Sequence, residues 1–223
     1  TCARFCGMVP PHMEQEETII SPVSTAAPGD FAGALAVAGR IFRNHDRSFS
    51  QTCLRAARLA YAFLASSPPL PFHNPTGIET GEYGDECDAD ERFFAAAALY
   101  AATGEPDFLT GAQTPLADGP PLSLGWEDMA GYGYLACMKN PRAVESGFLS
   151  ILKERLLHEA DRLAGLSETH PFGLSLEGEL PWGSNMYLLN NAILLGEANG
   201  LQPSQRYVTA LRKHLDYVLG NNP

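Results

Sequence analysis

The stretch Thr80-Gly-Glu-Tyr-Gly-Asp-Glu-Cys-Asp-Ala-Asp-Glu-Arg-Phe-Phe-Ala-Ala-Ala-Ala-Leu-Tyr-Ala-Ala-Thr-Gly104 joins an acidic turn to an alanine-rich helix. This helix is apolar over most of its surface, which is typical of a helix buried inside an all-helical fold. At the turns 44–49, 104–108 and 199–207, an apolar helix likewise ends and a more charged helix begins. Repeated hairpins of an inner and an outer helix favour an all-α fold, either a solenoid or an α/α toroid.

Long loops separate several of the helical segments, and they favour the toroid. The segments 68–88, 113–126 and 167–182 are rich in proline and glycine, and loops of this length are often functional. The hairpins are spaced about 60 and 100 residues apart, whereas helical solenoid repeats usually run roughly 33 to 47 residues. We expect the loops to gather at one end of the toroid and to form a cleft there. The predicted helices are 30–43, 50–66, 90–102, 106–111, 127–138, 145–163, 185–198 and 204–219.

Composition excludes several classes of partner. The 223 residues are 45% hydrophobic, which supports a substantial core, and they carry a net charge of -11 with a sequence pI near 4.9. Without a basic patch to neutralise phosphates, we expect no nucleic acid and no anionic membrane as partner. No apolar run reaches the roughly 20 residues of a membrane span. Because the chain begins at Thr1 rather than at methionine, we expect it to be part of a longer protein.

Five acidic residues fall within seven positions of the turn: Asp85, Glu86, Asp88, Asp90 and Glu91. Like charges this close repel one another, and the free N–H groups at a helix start can serve only one or two carboxylates. A hard cation with oxygen ligands, above all Ca²⁺, would balance the rest. The alternative is ordinary helix capping, with the surplus carboxylates solvated.

Cysteine offers a weaker candidate for a second metal. Cys2 and Cys6 lie close together in an irregular segment, and His12 could join them. A C-x3-C spacing without a second pair is weak evidence for zinc, so the sequence leaves zinc without support. Cys53 and Cys137 lie in apolar helical patterns, where we expect buried free thiols.

Aromatic side chains in and beside the long loops are candidates for stacking on a sugar. Tyr83, Trp126 and Trp182 are the candidates, because sugar rings present apolar C–H faces to aromatic rings. Asn185, at the mouth of an inner helix, offers an amide to the sugar hydroxyls. The alternative is that Trp182 packs against the start of that helix. No nucleophile motif is present, and the clustered carboxylates lie too close together to act as acid and base across a sugar ring.

Five motifs resemble glycoside hydrolase family 9, the cellulases and related β-1,4-glucanases. They are Phe5-Cys-Gly-Met-Val-Pro10, Ile20-Ser-Pro-Val-Ser-Thr-Ala-Ala27 with Asp30-Phe-Ala-Gly-Ala-Leu-Ala36, Asp90-Glu-Arg-Phe-Phe-Ala-Ala-Ala-Ala-Leu-Tyr100, Trp182-Gly-Ser-Asn185, and His214-Leu-Asp-Tyr-Val-Leu-Gly-Asn-Asn-Pro223. They follow the family's order over nearly the whole chain. The resemblance implies an (α/α)6 barrel and inverting hydrolysis of β-1,4-glucosidic bonds.

The resemblance also implies which functional residues this chain carries. The family's catalytic base belongs upstream of these motifs and its catalytic acid belongs downstream, so we expect no catalytic residue here. Residues 1–223 would be the central portion of a single catalytic domain, inactive without the remainder of that domain. The calcium ligands that the resemblance implies are Asp85, the backbone carbonyl of Cys87, Asp90, Glu91 and Asp128.

The sequence therefore predicts part of a secreted, calcium-stabilised endoglucanase that hydrolyses cellulose, cello-oligosaccharides or related β-glucans. One alternative is an exo-acting cellodextrinase or an amino-sugar hydrolase on the same barrel. The loops at 68–83 and 113–124 would decide between these by closing or opening the cleft. The other alternative is a helical protein that binds carbohydrate without hydrolysing it.

Overall fold

The chain forms an all-helical fold with long loops in the residues that the computed structural model describes, which are 2–82, 84–117, 119–178 and 180–220. Within these ranges the only strand-like pairing is an isolated bridge between Cys2 and Thr18. Short 3-10 helices cover Pro11–Met13 and Pro141–Ala143. The α-helices are α1 (Ala26–Phe42), α2 (Arg47–Ser66), α3 (Ala89–Thr103), α4 (Pro106–Ala117), α5 (Ala130–Met138), α6 (Ser146–Thr169), α7 (Ser184–Leu201) and α8 (Gln205–Val218).

All eight predicted helices are present, and their pairing follows the predicted inner and outer pattern. α1 packs against α2, α3 against α4, and α7 against α8, while α3 also lies between α1 and α5. Every residue from Phe93 to Ala102 of α3 is buried, so α3 is an inner helix on all sides. The outer helix α2 buries only Ser50, Cys53, Ala57 and Leu64 of its 20 residues.

Two glycines determine how closely α1 and α5 approach α3. A Cβ atom at Gly33 of α1 would lie 2.5 Å from the ring of Phe94, and one at Gly133 of α5 would lie 2.7 Å from the ring of Phe93. These distances are shorter than ordinary carbon contacts, so alanine at either position would force the helices apart. The close packing fixes α3 and, with it, the acidic turn at its start.

Three apolar clusters form the core of the described residues. The largest surrounds α3, and the second joins α6, α7 and α8 through residues such as Leu163, Leu194 and Tyr207. The smallest joins α1, α2 and α3. Cys53 and Cys137 are buried free thiols, as predicted. None of the described helices combines the length and apolar composition that crossing a bilayer requires.

Candidate metal centre and cleft

Three carboxylates converge where α3 begins. Asp90 and Glu91 belong to the first turn of α3, and Asp85 lies in the turn before it. One ligand oxygen from each lies within 4.8 Å of the other two. Only 4% of Asp90 and 0% of Glu91 is exposed. Three carboxylates this close, two of them buried, cannot all remain ionised unless a positive charge lies among them.

The oxygen atoms of this acidic cluster (Asp85, Asp90 and Glu91) are short of hydrogen-bond donors. Among the described residues, neither oxygen of Glu91 has a donor, and Oδ2 of Asp85 has none. Oδ1 of Asp85 accepts from the backbone N–H of Cys87 at 2.9 Å, and Oδ2 of Asp90 accepts from that of Met129. Since carboxylates only accept hydrogen bonds, the orphaned oxygens need a proton or a cation.

Burial and mutual repulsion raise the pKa values of Glu91 and Asp90. Burial raises the pKa of Glu91 to about 11, and the neighbouring Asp85 and Asp90 add to the effect. Burial also raises the pKa of Asp90. At neutral pH, metal-free Glu91 therefore carries a proton, which a divalent cation would displace. The donor set consists of carboxylate oxygens, which suits a hard cation such as Ca²⁺.

A cavity of about 770 Å³ opens beside the acidic cluster. Asp85, Glu91 and Trp126 line it, together with the N-terminal segment and the loop that precedes α3. Its described lining includes six acidic side chains and no lysine, arginine or histidine, which favours a cationic or neutral occupant over an anionic one. The acidic side chains are Glu14, Glu16, Asp30, Glu82, Asp85 and Glu91.

The chain matches known proteins along almost its whole length. Residues 6–223 match the sequence model of glycosyl hydrolase family 9. The chain belongs to this family. Its helices are accordingly part of an (α/α)6 barrel, as the sequence predicted.

Individual family 9 proteins are similar over nearly the whole chain. Endoglucanase D of Acetivibrio thermocellus is 32% identical over 98% of this chain and 36% of its own length. A cellodextrinase of Butyrivibrio fibrisolvens is 33% identical over 95% of this chain and 42% of its own length. The solved structure of AaCel9A with a cellobiose-like isofagomine is 40% identical with a TM-score of 0.83, covering 91% of this chain and 39% of that one. The chain therefore spans about two fifths of the length of these relatives.

The structure brings three of the five predicted metal ligands together. Asp128 lies in the turn before α5 and is half-buried. Its burial raises its pKa, and the negative charge of Asp90 adds a smaller increase. Its carboxylate does not complete the group within 4.8 Å. Cys87 is exposed, and the contact described for it is the donation from its N–H to Asp85. Among the described residues, Cys2, Cys6 and His12 do not form a group of metal ligands, so zinc remains without support.

The predicted substrate-binding residues occupy different places. Trp126 lines the cavity with 43% of its surface exposed. Trp182 precedes α7 with 99% of its surface exposed, so it does not pack against the helix start. Asn185, in the first turn of α7, is exposed. Tyr83 lies outside the described residues.

Sequence reasoning missed two residues near the acidic cluster, Asp30 and Arg92. Asp30, in the first turns of α1, lines the same cavity, and its Oδ1 is buried without a donor. Burial is the main reason that the pKa of Asp30 is raised to about 7, and the negative charges of Asp90 and Asp85 add to the effect. Arg92 donates hydrogen bonds to both carboxylate oxygens of Asp88, which is therefore unavailable as a metal ligand. The spacing of four residues between Asp88 and Arg92 within a helical pattern was the signal available in the sequence.

Proposed function

We propose that the protein containing this chain hydrolyses β-1,4-glucosidic bonds in cellulose or related β-glucans, as an inverting endoglucanase. Family membership across residues 6–223 is the observation that carries the proposal. The cellobiose-like ligand of AaCel9A supports a glucan as the ligand class. The protein is proposed to act outside the cell, because a polymeric substrate cannot cross a membrane.

The catalytic carboxylates are proposed to come from another part of the same protein. An inverting enzyme places its acid and base roughly 6.5–9.5 Å apart, with a water between them. The acidic cluster is too compact for that arrangement, since its oxygens lie within 4.8 Å of one another. Its role is therefore proposed to be structural, and residues 1–223 alone are proposed to be inactive.

Exposed apolar side chains on two inner helices support a place for the remainder of the domain. On α1, 52% of Phe31 is exposed, and on α7, 42% of Met186 and 47% of Ile193 are exposed. Helices bury such faces against other helices, because large exposed apolar patches are costly in water. We propose that further inner helices of the same barrel cover both faces.

The acidic cluster is proposed to hold one Ca²⁺ through Asp85, Asp90 and Glu91. The buried oxygens of Glu91, which lack donors, are the strongest support. Bound there, the ion would neutralise the repelling carboxylates and tie the turn before α3 to the helix start. The wall of the neighbouring cavity would then keep its shape, because two of its residues would be ligands.

Hydrolysis of a soluble β-1,4-glucan by the full-length polypeptide tests the proposed reaction. We expect viscosity to fall early relative to the release of reducing ends, and the first product seen by NMR to be the α-anomer. Release of short products from chain ends only would instead favour the exo-acting alternative. The similarity to the cellodextrinase supports that alternative. Hydrolysis of glucosamine oligomers alone, or binding of glucan without hydrolysis, would contradict the proposal.

Trp182→Ala in the full-length polypeptide is expected to weaken binding of a non-hydrolysable cello-oligosaccharide by about 1–3 kcal/mol, taking base–aromatic stacking as a guide. The unfolding temperature should change little, because the indole is 99% exposed. Trp182→Phe, which keeps a ring, serves as the matched control and should retain part of the affinity. An affinity that calorimetry finds unchanged in Trp182→Ala would rule out stacking at this position.

A further inference from the structure

We propose that Arg92 is a positioning residue for the cation site, an inference that rests on the proposed binding of calcium by the acidic cluster. Arg92 is the fourth helical residue after Asp88, the N-cap of α3. Asp88 in turn lies between Asp85 and Asp90 in the sequence. A side chain that fixes Asp88 therefore fixes the backbone that leads to two of the three proposed ligands.

Arg92 binds the Asp88 carboxylate through two of the three nitrogen atoms of its guanidinium. Its Nε donates to Oδ1 at 2.9 Å and its Nη2 donates to Oδ2 at 2.8 Å. Asp88 is 7% exposed, so this bidentate pair is largely shielded from water. A planar guanidinium holds a carboxylate in one orientation, which a lysine ammonium does not.

The same guanidinium is anchored to the end of α2. Nη1 donates to the carbonyl of Leu64 at 2.7 Å, and Nη2 donates to the carbonyl of Ser67 at 2.9 Å. Leu64 lies in the last turn of α2, and its carbonyl also accepts from the backbone N–H of Ser67, the C-cap residue. Arg92 thus fastens the acidic turn to a second, rigid helix.

Arg92 also supplies the counter-charge of the buried Asp88 carboxylate. Without the guanidinium, a largely buried carboxylate would be left unpaired at the start of α3, which is costly. The turn would then lose the arrangement that places Asp85 and Asp90 for the ion. Residues that orient metal ligands typically change metal affinity by 10- to 100-fold when replaced.

Arg92→Gln in the full-length polypeptide tests the inference by calcium titration calorimetry and by unfolding temperatures in calcium and in EDTA. We expect calcium affinity to fall by about 10- to 100-fold and the calcium-dependent rise in unfolding temperature to shrink. Arg92→Lys keeps the charge but not the planar fork, so it should also bind calcium more weakly, and it guards against poor folding of the first variant.

Arg58→Gln is the matched control, because Arg58 of α2 makes a bidentate pair with the exposed Glu105, which lies just before α4. It removes the same charge and should leave calcium affinity unchanged. If Arg92→Gln and Arg92→Lys lower the unfolding temperature but bind calcium as the wild type does, Arg92 only joins α2 to α3 and the inference is wrong. If the wild type itself binds no calcium, the cation site fails and the inference fails with it.

Discussion

Glu91→Gln is expected to stabilise the metal-free protein at pH 7 and to destabilise it in calcium, each relative to the wild type. Burial raises the pKa of Glu91 from an ordinary value of 4.5 to about 11 in the fold. The unfolded chain loses this proton above pH 4.5 whereas the fold keeps it, so the free energy of unfolding falls as the pH rises. At pH 7 this lowers the stability of the metal-free wild type by roughly 3 kcal/mol, and glutamine, which does not titrate, avoids the loss. In calcium at about 1,000 times its Kd the order reverses, because binding then adds about 4.1 kcal/mol, which exceeds this cost.

Thermal unfolding of both proteins in EDTA and in excess calcium at pH 7 measures this reversal. Glu86→Gln is the matched control, because Glu86 is exposed in the same turn and lies outside the acidic cluster. We expect the control to keep the full calcium-dependent rise in unfolding temperature. A Glu91→Gln variant that also keeps the full rise would exclude Glu91 as a ligand.

His214→Gln is expected to remove part of the acid sensitivity of the fold. His214 is 0% exposed, and its Nε2 accepts from the backbone N–H of Ser175 at 2.9 Å. Burial, with a smaller contribution from the charge of Lys213, lowers its pKa from 6.5 to about 4. The unfolded chain binds this proton below pH 6.5 but the fold resists it, so stability falls between pH 6.5 and 4, by up to about 3 kcal/mol.

Urea unfolding of wild type and His214→Gln between pH 7.5 and 4 measures the difference in stability. The amide oxygen of glutamine can still accept from Ser175, and the acidic residues titrate in both proteins. We expect the difference to change by about 3 kcal/mol across this range. His158→Gln, at an exposed position on α6, is the control, and its free energy of unfolding should depend on pH as that of the wild type does. If the free energy of unfolding of His214→Gln also depends on pH as that of the wild type does, His214 does not cause the acid sensitivity.

The inner helices could be predicted from the sequence because their composition is extreme. The run from Phe93 to Ala102 offers no polar face, so burial on all sides is its only stable environment. Helix ends were predicted less well: α4 continues to Ala117, beyond the predicted end at Gly111, although Pro115 lies inside it. A proline so near the end of a helix removes one hydrogen bond without stopping the final turn.

The site was only partly visible in the sequence, because adjacency along the chain does not show which carboxylates meet. Asp88 stands among the acidic residues but is held by Arg92, whereas Asp30 lies far away in sequence and lines the same cavity. The place of Asp30 depends on how closely α1 crosses α3. A Cβ atom at Gly29 would lie 2.6 Å from Cβ of Glu91, and no local pattern reveals that contact.

Calcium binding at the acidic cluster is tested most directly by titration calorimetry of the full-length polypeptide at pH 7, in two buffers of different ionisation enthalpy. We expect the wild type to bind one more calcium ion than Glu91→Gln and to release about one proton with it, because the ion displaces the proton of Glu91. Equal stoichiometry in the two proteins, with no difference in proton release, would contradict a calcium site at Asp85, Asp90 and Glu91.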